Sequence, residues 1–197
     1  MIRAVIFDMG GVIVDIRPFL AQTVKVFQPE CEEEFWENIN VEAASLCRGE
    51  ITLLEFWKSV AEKLNKDIPD DILKDLWVIK EEPSLNEGIE DIIYSLKNKY
   101  SLAILSNTMK EHEFEKKGIF SLFDVVVLSC DVGLTKDNPD VFLLVAEELK
   151  VLPEECVFVD DIQEFVDVSR SLGMYGILFE NSEQLKHDLK ECGIEIE

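Results

Sequence analysis

Residues 2–15, IRAVIFDMGGVIVD, decide how the rest of the chain is read. The apolar run Val5-Ile6-Phe7 has the continuity of a strand covered on both faces, and it delivers one carboxylate, Asp8, to a pair of glycines, Gly10 and Gly11. Glycines at that point let the backbone turn tightly or approach a ligand closely. Asp8 is therefore either a polar stop before a turn or a reactive group at the open end of a buried strand. The choice depends on what other strands bring to the same edge.

Four further apolar runs read as strands: YSLAILS at 100–106, FDVVVLS at 123–129, CVFVDD at 156–161 and YGILFE at 175–180. Helical patterns lie between them. LNEGIEDIIYSLKNK carries Leu85, Ile89, Ile92, Ile93 and Leu96 on one stripe, and PDVFLLVAEELK starts at Pro139, a residue suited to a first helical turn. Strand and helix alternating over most of the chain predict a doubly wound, Rossmann-like α/β fold with a parallel sheet. The interruption runs from about Arg17 to Lys80, where helical patterns occur without a convincing strand. It is expected to form an all-helical cap of about four helices, punctuated at Arg48-Gly49, Pro69 and Pro83, with Thr52 capping the helix that carries Leu53, Leu54, Phe56 and Trp57. The expected division is residues 1–16 and 81–197 as the α/β core and 17–80 as the cap.

Composition narrows the partners. The 197 residues include 19 Lys and Arg against 41 Asp and Glu, a formal charge of −22, which opposes binding to nucleic-acid backbone or to an anionic membrane. An apolar fraction of 47% gives enough material for a folded core. Five separated cysteines without a C-x-x-C pair read as reduced thiols, and the chain shows neither a leader pattern nor a long apolar span, so a cytoplasmic location is expected. An anionic substrate would need local positive charge.

In an open parallel sheet, ligands bind where the strands end. Those ends carry Asp8, Ser106-Asn107-Thr108 and Asp160-Asp161, while Lys136 lies in the loop before the helix at Pro139. Three carboxylates together repel one another unless a cation holds them, and an all-oxygen donor set suits Mg²⁺. The expected site has Asp8, Asp160 and Asp161 around Mg²⁺, Lys136 on a phosphoryl oxygen, and Ser106 with nearby backbone N–H groups donating to the phosphate. Asp8 beside such a phosphorus is a competent nucleophile, giving an aspartyl-phosphate that water hydrolyses.

These residues, in this order, resemble the motifs of the haloacid dehalogenase-like hydrolases over nearly the whole chain. FDMGGVIVD matches the first motif, with Asp8 at the nucleophile; ILSNT matches the second, with Ser106 and Asn107; Lys136 in GLTKDNPDVF matches the third; and VFVDD matches the fourth, with Asp160 and Asp161 as the magnesium acids. The helical insert resembles the small cap of one subgroup, and LCRGEITLLEFW its Arg-Gly-Glu segment, with Arg48 as a possible substrate contact. The resemblance implies a Mg²⁺-dependent phosphatase of a small phosphorylated metabolite, such as a sugar phosphate. It also implies phosphate binding near Gly11 and metal ligation by the main-chain carbonyl of Gly10.

The sequence departs from that pattern where most phosphatases of the family place a second aspartate, two residues after the nucleophile. Here Gly10 stands there, and loss of that acid and base typically costs on the order of 10²–10⁴-fold. Three explanations are open: a replacement such as Asp15, Glu50 or His112, a substrate with a good leaving group, or a catalytically weak protein that binds a phosphorylated ligand or a partner. Both histidines, His112 and His187, also read as surface residues. A dehalogenase lacks the second aspartate too, but displacement of halide from carbon needs no divalent metal, so Asp160-Asp161 favours phosphoryl transfer. Other departures are Asp137 directly after Lys136, able to draw it from the phosphate, and Phe165 where an asparagine is common.

Overall fold

A computed structural model describes residues 1–78, 83–112 and 118–196. The side chains of Asn40 and Val41, inside a helix, are outside this description, as is the expected boundary at residues 80 and 81. Five strands, β1 (Ala4–Phe7), β2 (Ser101–Ser106), β3 (Val125–Leu128), β4 (Cys156–Asp160) and β5 (Tyr175–Leu178), form one sheet in the order β3-β2-β1-β4-β5. Every pairing is parallel, and the short helix α6 (Ser129–Val132) follows β3. All five sequence-derived strands are present, which gives the α/β class its parallel core.

The period of two along β1 divides its side chains between two apolar layers. Val5 and Phe7 pack on one face with Ile89, Ile92, Ile93 and Leu96 of α5 (Ile89–Lys97) and Leu185 and Leu189 of α9 (Ser182–Glu191). Ala4 and Ile6 pack on the other with Val141, Phe142, Val145 and Ala146 of α7 (Pro139–Leu149) and partly buried Phe165 and Val168 of α8 (Gln163–Ser171). Pro139 occupies the first turn of α7 as its fixed φ favours, and the Asn138 side chain accepts from the Asp140 N–H. Leu85, placed on the helical stripe by sequence, instead lies before α5 and bridges to Val14, because Gly88, with φ of +76°, begins the helix later.

The segment between β1 and α5 holds α1 (Arg17–Phe27), α2 (Glu32–Cys47), α3 (Leu53–Lys63) and the short α4 (Asp70–Leu73). These helices bury a separate apolar cluster of Phe27, Phe35, Ile39, Leu46, Phe56, Trp57 and Leu76, with Trp57 against Phe27, Phe56 and Trp77 at ring-centroid distances of 5.3, 4.8 and 4.6 Å. Thr52 caps α3 as its position suggested, its hydroxyl accepting from the Glu55 N–H while the Glu55 carboxylate accepts from the Thr52 N–H. One residue of this cluster, Met109, comes from beyond β2. Among the described residues no helix is long and apolar enough to cross a membrane, and the five cysteines are unpaired, with Cys130 and Cys156 buried.

Candidate active site

The chain lays down β1, β2 and β3 in one direction and then returns to place β4 on the other side of β1, so the strand order reverses between β1 and β4. A crevice opens at such a reversal. Register places the two carboxylates there: Phe7 pairs with Val159, so Asp8 and Asp160 follow at the same level of neighbouring strands, and the Asp8 N–H donates to the Val159 carbonyl at 2.9 Å. One carboxylate oxygen from each of Asp8, Asp160 and Asp161 lies within 4.8 Å of the others. Asp8 and Asp160 are buried, and Asp161 opens to solvent.

Lys136 enters this acidic cluster from the loop before α7. Its Nζ donates to Asp8 Oδ1 at 2.7 Å and to Asp160 Oδ2 at 2.5 Å, and the ammonium stands 4.9 Å from the centre of the Phe165 ring. Asp137 therefore does not capture the lysine. The Asn107 side chain fixes the loop by accepting from the Lys136 main-chain N–H at 3.0 Å, so Asn107 here positions Lys136. Ser106, at the end of β2, is buried at the same edge. Burial pushes the Asp8 carboxyl up to about 7; Lys136 opposes that rise, and Asp160 and Asp161 add to it. Asp161 is also raised, by burial first and Asp160 second, while the two carboxylates hold Lys136 above its ordinary value against the opposing effect of burial. One ammonium among three carboxylates leaves the cluster short of positive charge.

The two glycines after Asp8 have different reasons to be there. Gly11 has φ of +93°, and a Cβ on it would lie 2.2 Å from Asp161 Oδ2, so this position holds the turn against the Asp161 carboxylate. Gly10 lies outside the left-handed region, and a Cβ there would meet only Ile16 Cγ2, at 3.3 Å. The turn is tied down by Asn86, whose Nδ2 donates to the carbonyls of Gly11 at 2.7 Å and Val12 at 3.0 Å. Sequence reasoning missed Asn86, because an asparagine before a helix signals only a turn.

Arg48 ends α2 and pairs with Glu50, Nε to Oε1 at 2.7 Å and Nη2 to Oε2 at 3.1 Å, the ion-pair alternative to a substrate contact. Gly49, next to Arg48, accepts from Lys110 Nζ at 3.3 Å, which brings this end of α2 beside the loop that follows Ser106. His112 is half-buried rather than a surface residue. Its Nδ1 faces Thr108 Oγ1 at 2.9 Å and its Nε2 faces the Trp77 carbonyl, while burial lowers its pKa. His187 is exposed beside Asp188.

The loop after Ser106 is anchored in the helical segment residue by residue. Met109 inserts into its apolar cluster, Lys110 Nζ donates to the Gly49 carbonyl at 3.3 Å, the Glu111 carboxylate accepts from the Leu53 N–H at 2.9 Å, and His112 meets Trp77. Sequence had marked His112 as a candidate acid or base or a surface residue and had not marked Glu111, since a helix N–H donating to a foreign carboxylate leaves no local pattern.

Known proteins share both the fold and the order of these elements. A phosphorylated carbohydrates phosphatase of Thermotoga maritima is 26% identical over 190 residues, covering 89% of this chain and 85% of its own. A D-ribitol-5-phosphate phosphatase of Bacteroides thetaiotaomicron is 26% identical over 205 residues, covering 96% and 97%. A crystal structure of a HAD-family enzyme from Bacteroides thetaiotaomicron, in complex with magnesium and inorganic phosphate, superimposes with a TM-score of 0.70 at 24% identity, covering 95% of this chain and 98% of that one. The haloacid dehalogenase-like hydrolase family matches residues 2–164, a span that runs from β1 through the helical segment to the start of α8 and so contains every strand end that meets at Asp8. The chain belongs to the haloacid dehalogenase-like hydrolases, and it is a hydrolase.

Proposed function

We propose that the protein is a phosphatase of a small phosphorylated metabolite, with Asp8 as nucleophile and Mg²⁺ as cofactor. The observation that carries this reading is the meeting of three carboxylates within 4.8 Å at the strand ends with one buried lysine between two of them. Such a cluster is undercharged and all-oxygen, and so fits a hard divalent cation. Asp8, Asp160, Asp161 and the Gly10 carbonyl are the residues that would hold it. When bound, the ion withdraws charge from the phosphoryl oxygens.

The chain's own residues account for the remaining work. Asp8 offers an oxygen to phosphorus, and Lys136, already aimed at Asp8, neutralises a phosphoryl oxygen. Ser106 and the Gly11 turn line the phosphate, and Asn107 holds the Lys136 loop. Residues 17–80 act as the cap that excludes water and selects the organic part of the substrate, with Arg48 at its edge. The two full-length relatives named for phosphorylated carbohydrates and for ribitol 5-phosphate support a sugar or polyol phosphate. The acid pair at the end of β4 supports phosphoryl transfer over displacement at carbon. Phosphate release from a panel of phosphorylated metabolites with Mg²⁺ tests this function: turnover is expected for the intact protein and not for Asp8→Asn, and equal rates for the two would end the proposal.

A further inference from the structure

Lys136 meets an aromatic ring as well as two carboxylates. Its ammonium carries three N–H bonds, of which one goes to Asp8 Oδ1 at 2.7 Å and one to Asp160 Oδ2 at 2.5 Å. The nitrogen also lies over the Phe165 ring, 4.9 Å from its centre. That distance is inside the range of about 6 Å over which the negative face of a ring attracts a cation.

Both partners of this contact are fixed by what surrounds them. β4 ends in Asp160, whose Oδ1 accepts from the Ile162 N–H at 2.8 Å, and the first turn of α8 carries Phe165, whose N–H donates to the Ile162 carbonyl at 3.1 Å. Carboxylate and ring are thus set by the same turn of chain. The half-buried ring packs against the apolar layer that holds Phe142 and Phe158. From the other side, the Lys136 main-chain N–H donates to Asn107 Oδ1 at 3.0 Å and so holds the loop from which the lysine reaches in. Lys136 is only 2% exposed, so ring and ammonium meet with water largely excluded, which strengthens their attraction.

We infer that Phe165 is a positioning residue for Lys136: its ring face holds the ammonium at the strand ends and leaves its N–H bonds to oxygen. The catalytic part of this inference rests on the phosphatase reading. A ring attracts positive charge without demanding a particular N–H direction, whereas a carboxylate or amide oxygen in its place would claim an N–H bond outright. The cluster already holds three carboxylates, so an uncharged partner retains the lysine without adding to their excess. An ammonium held in this way turns from Asp8 to a phosphoryl oxygen with its attraction to the ring intact. Phe165 thus acts through Lys136 and not on the phosphoryl group itself.

Fluorinated phenylalanines incorporated at position 165 weaken the negative face of the ring in steps while nearly keeping its size. With one, two and three ring fluorines, kcat/KM for 4-nitrophenyl phosphate with Mg²⁺ should fall in graded steps, reaching roughly 2–30-fold at three. Phe165→Tyr, which keeps the face, should lose less than Phe165→Leu, which keeps only apolar bulk. Urea unfolding without metal reads the same contact apart from activity: three fluorines should lower the folding equilibrium constant by a similar ~2–30-fold, and by much less in a Lys136→Met background. A kcat/KM that is flat across the fluorines would overturn the inference and leave the phosphatase reading standing. No turnover of 4-nitrophenyl phosphate or of any phosphorylated metabolite would end that reading instead, and unfolding would then decide whether the ring holds the lysine. Equal losses of stability with and without the Lys136 ammonium would show that it does not. Should Lys136→Met fail to fold, a stability unchanged across the fluorine series would overturn the contact.

Discussion

The sheet edge and the junction with the helical segment are both built from polar contacts, but of opposite kinds. At the edge, charged side chains are buried against one another: Asp8, Asp160 and Lys136 meet with almost no access to water. At the junction, one short loop after β2 reaches across with contacts made largely to backbone, at the Gly49 carbonyl, the Leu53 N–H and the Trp77 carbonyl. The first arrangement is stiff and costly to disturb; the second is a set of modest bonds, each worth about 1 kcal/mol, that break one at a time. The proposed catalytic groups thus lie among buried, mutually bonded charges, while the bonds that tie the loop after β2 to the helical segment are individually weak.

The largest expected effect lies at the edge. Lys136→Met leaves two buried carboxylates without their cation and should cost ~3–5 kcal/mol in urea unfolding without divalent metal. Asp8→Asn removes a charge that burial already opposes and should stabilise the metal-free protein. A cost for Lys136→Met no larger than about 0.5 kcal/mol, typical of a surface change, would break the contrast between the regions.

A smaller effect belongs to the junction. Glu111→Ala removes an acceptor from the first turn of α3 and should cost ~0.5–2 kcal/mol. Hydrogen exchange should quicken in α3 and not in the strands; uniform quickening would show that the two regions open together.

A third contrast is a difference in sign with pH. Above 3.8 the unfolded chain has released a proton that native Asp8 keeps until about 7, so Asp8 makes metal-free stability fall as pH rises through that window. His112 acts oppositely. Its native pKa lies below 6.5, so the unfolded chain binds a proton that native His112 refuses, and stability is lost as pH falls below 6.5. Comparing Asp8→Asn and His112→Gln with the intact protein across this range should remove one slope each. Two slopes of the same sign would refute the assignment.

What sequence disclosed follows the same division. The strand ends were legible because a buried parallel strand is a local signal, and because β1 and β4 lie side by side in register, so a run ending in a carboxylate on each suffices to bring Asp8 and Asp160 together. Thr52 and Pro139 were legible for the same reason, each acting within its own turn. Glu111, Asn86 and the stacking of Phe165 on Lys136 were not, since each joins elements whose relative placement no local pattern encodes. The surface reading of His112 missed its contact with the Trp77 carbonyl, 35 residues earlier, which no local pattern encodes.

The bond between Lys136 and Asp8 spans 128 residues of chain, and that span orders events in time. Closing so long a loop is entropically unfavourable until the strands between are paired, so the charges should meet after the sheet has formed. Lys136→Met should then speed unfolding and leave the folding rate nearly unchanged, as stopped-flow measurements of both rates would show; a slowed folding rate would place the lysine in the nucleus instead. A nascent chain would carry Asp8 long before Lys136, Asp160 and Asp161 were synthesised, so the proposed nucleophile would stand without its partners until the tertiary structure was complete.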